Sequence, residues 1–159
     1  MTRFVRIVDG VSVVCAAIAS VFLLIAVLVV TWMIFYRAMG NSAFWEIEFA
    51  VYLMVAAIFL GSPYCAKTKG HVAVDLLTEF TPPSASRGIG LALAAISLVI
   101  CLYLTIEGAQ LTYHAWASGE TTESYWRPVK WPLFVSMPIG LGLTALQYLA
   151  EIVRREDAS

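Results

Sequence analysis

Charge is what this sequence has least of. Lysine, arginine, aspartate and glutamate make up 13% of its 159 residues and hydrophobic residues 60%, where a soluble domain carries roughly 25% charged. Ten basic and eleven acidic residues nearly cancel, to a net charge of −1. No global basic field argues for nucleic acid, and there is no zinc-finger, glycine-rich phosphate-loop or basic-helix pattern. Cysteine is scarce: Cys15, Cys65 and Cys101 each lie in or beside an apolar run, and no CxxC occurs. An odd number of such thiols argues against a disulfide framework or a thiol-exchange enzyme. Histidine occurs twice, at His71 and His114. A bis-histidine haem needs both rings at one depth on facing helices, and the topology derived below puts these two at opposite membrane faces. With no Ser/His/Asp or HExxH constellation either, the residues point away from an enzyme, and they imply no cofactor or metal in this chain.

What the sequence does have is four long apolar stretches, at about 11–36, 49–66, 89–113 and 131–152, charged only at Glu107 and Glu151. A helix rises about 1.5 Å per residue and a hydrocarbon core is about 30 Å thick, so each is one span. Uniform apolar runs without alternation exclude a closed barrel. The expected fold is an all-α integral membrane protein, a single four-span domain over residues 1–159. The first run is longer than the roughly 7 to 15 apolar residues of a signal peptide, so it is expected to be a retained span. Placing the N-terminus in the cytoplasm puts Arg3, Arg6, Lys67, Lys69, Arg87, Arg154 and Arg155 inside, against Arg37, Arg127 and Lys130 outside. That arrangement satisfies the positive-inside rule and makes both termini cytoplasmic.

The second span has both ends marked. Glu46 and Glu48 fall in its first turn and Lys67 at its end, matching the helix dipole. Ala50, Ala57 and Gly61 share one face, while Glu48, Tyr52 and Phe59 share the opposite one. Small residues let helices approach in lipid, where packing draws them together; alternatively, alanine and glycine are simply common in spans. In the third span Gly88 with Ala92, and Gly90 with Ala94, form small-xxx-small pairs that suit close packing. Pro138 and Gly140 in the fourth predict a kink or local unwinding around 136–140. Between the second and third spans, Val72, Ala73, Leu76, Leu77 and Phe80 gather on one side of a helical wheel, before Pro82 and Pro83. This suits either a short interfacial amphipathic helix at about 72–81 or an ordinary loop.

Two groups of polar residues are candidate sites. Tyr103, Glu107, Gln110 and His114 form one stripe on the third span, with Glu107 expected a turn or two from the outer surface. A carboxylate at the centre of a span costs roughly 2.5 to 3.5 kcal/mol on insertion scales. Glu107 therefore either snorkels or bonds to a neighbouring helix, meets a partner, or serves a transport or proton site. The outer loop carries Trp116, Tyr125, Trp126 and Trp131, which either anchor the bundle at the interface or, at Tyr125, Trp126 and Arg127, dock an external protein.

The run Trp45, Glu46, Glu48, Tyr52, then Phe59, Leu60, Gly61, then Lys69, Gly70, His71, Val72, Val74, Asp75 resembles the small, DctQ-like membrane subunit of the tripartite ATP-independent periplasmic (TRAP) transporters. Met137, Pro138, Ile139 and Gly140 fit the same family, and the resemblance covers essentially the whole chain. It departs in two places: Ile47 separates the glutamates that the family often pairs, and Val51 stands where an arginine is usual. The resemblance implies a non-catalytic subunit of the bacterial inner membrane, packed against a large multi-span subunit that carries the substrate and sodium sites. A periplasmic binding protein would deliver an organic anion, taken up on an ion gradient. Packing would fall to Ala50, Ala57, Gly61, Gly88, Ala92 and Gly140. The competing reading is a self-contained homo-oligomeric transporter or channel built around Glu107.

Overall fold

A computed structural model of the chain describes residues 3–68 and 83–156, with side chains for 3–68 and 88–154. The fold is four helices: α1, Arg3–Ala38; α2, Glu46–Lys67; α3, Pro83–Ser118; and α4, Trp131–Glu156. Each holds a stretch long and apolar enough to cross a membrane. The segment expected as an interfacial helix, 72–81, lies outside the described residues.

The helices outrun the apolar stretches because lipid sets the apolar length while capping sets the helix end. α1 has 36 residues, roughly 54 Å at 1.5 Å per residue, well over the hydrocarbon thickness. It stops at Gly40, whose φ of 85° is left-handed. There Asn41 N–H bonds the carbonyl of Tyr36 at 3.4 Å and Gly40 N–H that of Arg37 at 3.0 Å, a Schellman closure. α3 ends the same way at Gly119, with φ 63° and Glu120 N–H bonded to the carbonyl of Ala115. α2 starts without a side-chain cap from Trp45; instead the Glu46 carboxylate accepts the Trp45 N–H at 3.0 Å.

α1 packs on α2, α2 on α4, and α4 on α3, with a smaller contact between α1 and α4; among the described residues α3 packs on α4 alone. Side-chain pairs fix the directions. Lys67 reaches Asp9 and Gly61 faces Ala19, so α1 and α2 are antiparallel. Tyr52 meets Val129 and Ser62 meets Thr144, so α2 and α4 run parallel. Gly108 lies against Met137, and Gly142 against Thr105, so α3 runs opposite to α4. Both chain ends therefore lie at one end of the bundle, the terminal end, and the 39–45 and 119–130 loops lie at the other.

The interior is made of small residues. Eight of the twelve buried hydrophobic residues described are alanine: Ala19, Ala26, Ala50, Ala57, Ala94, Ala115, Ala145 and Ala150. The large apolar side chains point outward instead, Leu28 at 60%, Trp32 at 65% and Phe35 at 65% exposed. Lipid supplies no hydrophobic force between helices, so association falls to close contact of backbones.

The tightest approach is between α2 and α4 at Gly140, where a Cβ would overlap the Phe59 carbonyl and lie 2.7 Å from the Phe59 Cβ. α4 runs unbroken from Trp131 to Glu156 with Pro138 inside it, so the local unwinding expected around 136–140 is absent. Gly140 is there for room, not for a break. Gly140→Ala should therefore overpack the bundle by about 1 to 3 kcal/mol, lowering the detergent melting temperature by several degrees. Gly88→Ala, with nothing within 4 Å of its added Cβ, should leave that temperature unchanged.

Candidate functional site

Two polar networks pin the bundle, one at each end. At the loop end, Glu48 and Tyr52 sit one turn apart on α2, facing the 119–130 loop. That loop is a small hairpin: Thr121 bridges Val129, Lys130 N–H bonds the Glu120 carbonyl at 2.9 Å, and Thr122 N–H bonds that of Pro128 at 3.0 Å. Lys130 and Glu120 also form an exposed ion pair at 3.8 Å. The Ser124 hydroxyl donates to the Glu48 carboxylate at 2.5 Å and accepts the Arg127 N–H at 3.2 Å. The Tyr52 hydroxyl donates to the Val129 carbonyl at 2.9 Å. Arg127 turns the tip with a φ of 48°, a conformation uncommon for a residue with a side chain.

Aromatic rings complete this end. Trp126 meets Trp45 edge-on, with ring centroids 6.3 Å apart, Trp45 meets Phe49 at 5.9 Å, and Tyr125 leans on Phe44 at 5.2 Å. The residues that carry the resemblance at the start of α2 thus hold the hairpin through Trp45, Glu48 and Tyr52. Glu46, 5% exposed, closes its own helix start. Gly70, His71 and Asp75 lie outside the described residues. Of the docking candidates, Tyr125 is 89% exposed and Trp126 47%, the latter partly spent on Trp45, and Arg127 is exposed as well.

At the terminal end Asp9 is the hub. Its carboxylate accepts from Gln147 Nε2 at 2.8 Å and pairs with Arg154 at 3.0 Å, while its carbonyl accepts from Lys67 at 3.4 Å. Ser12, fully buried, donates to Gln147 Oε1 at 3.2 Å. Three helices meet in this one cluster. The sequence reading assigned Asp9 no role, because it stands just outside the first uncharged stretch; the signal available was the four-span topology, which brings Asp9, Lys67, Gln147 and Arg154 to one end. Between the two ends the described polar contacts include the Ser62 and Thr144 hydroxyls, 2.7 Å apart, and hydroxyls bonded to carbonyls of their own helix, as Thr144 to Gly140 at 2.8 Å.

The small-residue candidates divide. Ala50 and Ala57 are buried, Gly61 lies 3.8 Å from the Ala19 Cβ by way of its added Cβ, and Gly140 meets Phe59. Gly88 and Ala92, in contrast, are exposed and pack on no described helix of this chain; the buried pair of α3 is Gly90 and Ala94. The two pairs are offset by two residues, so they occupy opposite faces of the helix, and α4 covers only one. The polar stripe follows the uncovered face: Tyr103, Glu107, Gln110 and His114 are all exposed, and His114 has a partner ring, Tyr113 beside it.

Glu107 lies level with the second turn of α4. Its neighbour Gly108 contacts Met137 and Pro138, six and seven residues into α4, roughly 9 to 10 Å below that helix's first residue. Among the described residues no other helix bonds to its carboxylate, so the bond to a neighbouring helix considered from sequence is not made there.

Four apolar helices, networks confined to the two ends and an interior of alanine and hydroxyls define a polytopic membrane bundle. The family comparison makes that specific. The chain belongs to the DctQ family: the family described as tripartite ATP-independent periplasmic transporters, DctQ component, matches residues 26–157. It is a component of a TRAP transporter. No curated protein and no solved structure matches the chain.

The loop-end network is open to a direct check. Tyr52→Phe deletes one hydrogen bond to the hairpin, worth about 1 kcal/mol. Amide exchange at Thr122 and Lys130 should rise about fivefold, while exchange in α1 stays as it was.

Proposed function

We propose that this chain is the accessory, non-catalytic subunit of a TRAP transporter, a fixed scaffold in the bacterial inner membrane against which a large multi-span subunit works. The observation that supports it most is where the polar groups are. Both networks sit at the ends of the bundle and clamp helices together, and the described buried residues between them include no Asp, Glu, Lys, Arg or His. A carrier usually keeps ionisable groups or unwound backbone near the midplane. This bundle is instead built to hold still. Substrate and sodium sites belong, in this reading, to the large subunit, and the terminal end, with its basic residues, faces the cytoplasm.

The opposite end then faces the periplasm, and the hairpin fixed to α2 is the natural landing for the binding protein that brings an organic anion. Exposed aromatic and arginine side chains on a pre-ordered loop lose little entropy on docking. Tyr125→Ala should weaken binding-protein-dependent uptake about tenfold, with the amount of chain in the membrane unaltered. Loss of the chain itself, or undiminished uptake, would place docking elsewhere.

The role as a whole is tested by purifying the chain in mild detergent from its native membrane and identifying what accompanies it. A large multi-span protein in roughly equal amount is the expected result. A defined oligomer of this chain alone would favour the competing self-contained transporter, built around Glu107.

A further inference from the structure

The outward face of α3 is unlike the other lipid-facing surfaces of the bundle. Ala92, Ile96, Tyr103, Glu107, Gln110 and His114 recur at spacings of 4, 7, 4, 3 and 4 residues, which keeps them on one side of a helix for about six turns. All six are exposed. The outward face of α1 over the same depth carries Ile18, Leu24, Leu28 and Trp32. Its exposed hydroxyls, Ser20 and Thr31, return their hydrogen bonds to the carbonyls of Ala16 and Val27 on their own helix. Glu107 has no such recourse: an ionised carboxylate only accepts, and the helix interior has no free N–H to give.

We propose that this seam is where the large subunit seats a transmembrane helix, and that the helix brings a cationic side chain to Glu107. The inference rests on the accessory-subunit role above. Hydrocarbon offers no donor to Glu107, Gln110 or Tyr103, whereas an arginine or lysine at that depth satisfies the acceptor and cancels its charge. A second copy of this chain is the wrong occupant. Two copies related by a two-fold axis along the membrane normal would set Glu107 opposite Glu107 at one depth, and like charges there repel. Toward the terminal end, Gly88 and Ala92 leave room for a backbone to come close. Polar contact in one half of the seam and close packing in the other together specify a helix, not a lipid.

The test uses the complete transporter in its own membrane. A photo-crosslinking phenylalanine replaces Ile96 or Gln110 on the seam, or Leu24 or Leu28 on α1 as comparison, and the otherwise unaltered complex is irradiated. Products are mapped by mass spectrometry. Expected are links from Ile96 and Gln110 to one membrane helix of the large subunit, with a Lys or Arg within two turns of the Gln110 link, and none from α1. In parallel, Glu107→Lys should lower the large subunit recovered with this chain roughly three- to tenfold, and Glu107→Gln less.

If the large subunit is recovered but links only to α1, or is recovered undiminished with Glu107→Lys, the seam is not its seat although the accessory role stands. Links from Ile96 joining two copies of this chain would overturn the proposal in favour of an oligomer. Failure to recover any large subunit with the unaltered chain would remove the accessory role, and this inference with it. Because the links are read in chains that keep Glu107, misfolding of the lysine variant would not hide the answer.

Discussion

Helices in lipid gain nothing by hiding apolar surface from one another, so this bundle stands on how near two backbones can come. The contact of Gly140 with the Phe59 carbonyl group is where that constraint is sharpest. With α4 that close, the Ser62 and Thr144 hydroxyls reach each other, and the two parallel helices are in register from the Tyr52 level to the terminal end. The rest hangs from that pair: α1 lies along α2 through Gly61 and Ala19, α3 lies along α4 through Gly108 and Met137, and the polar clusters close the two ends.

The four spans were legible in the sequence because lipid thickness acts on one property, the length of an apolar run, and that property can be counted. So was the marking of α2 by Glu46, Glu48 and Lys67, which depends only on the helix dipole. Helix ends were less legible, since Gly40 and Gly119 stop α1 and α3 by a backbone conformation that leaves no hydropathy signal. Gly140 reads as a weak point in a helix when only its own chain neighbours are known; its purpose lies on another helix, 81 positions away at Phe59.

The polar sites split along the same line. Asp9 and Glu48 find partners 145 and 76 positions distant, and one sequence by itself holds no record of such pairings. The Tyr103 to His114 stripe was visible as a stripe, because helical spacing alone defines it. Whether it faces inward or outward was not, for that depends on which neighbour α3 has. Gly88 with Ala92 and Gly90 with Ala94 illustrate this most simply: two identical patterns, offset by two residues, of which the fold buries one and leaves the other bare.

That α3 packs, among the described residues, on α4 alone has a consequence for how the chain is made. Synthesis runs from the N-terminus, so α1 and α2 can close as an antiparallel hairpin as soon as both are inserted. α3 enters next with no described helix of its own chain to settle on until α4 arrives. The last helix made is thus the keystone, wedging between the finished hairpin and the stranded third span. A ribosome that stops short of Gly140 leaves behind a hairpin and a loose helix, so completion of the chain and assembly of the bundle are a single event.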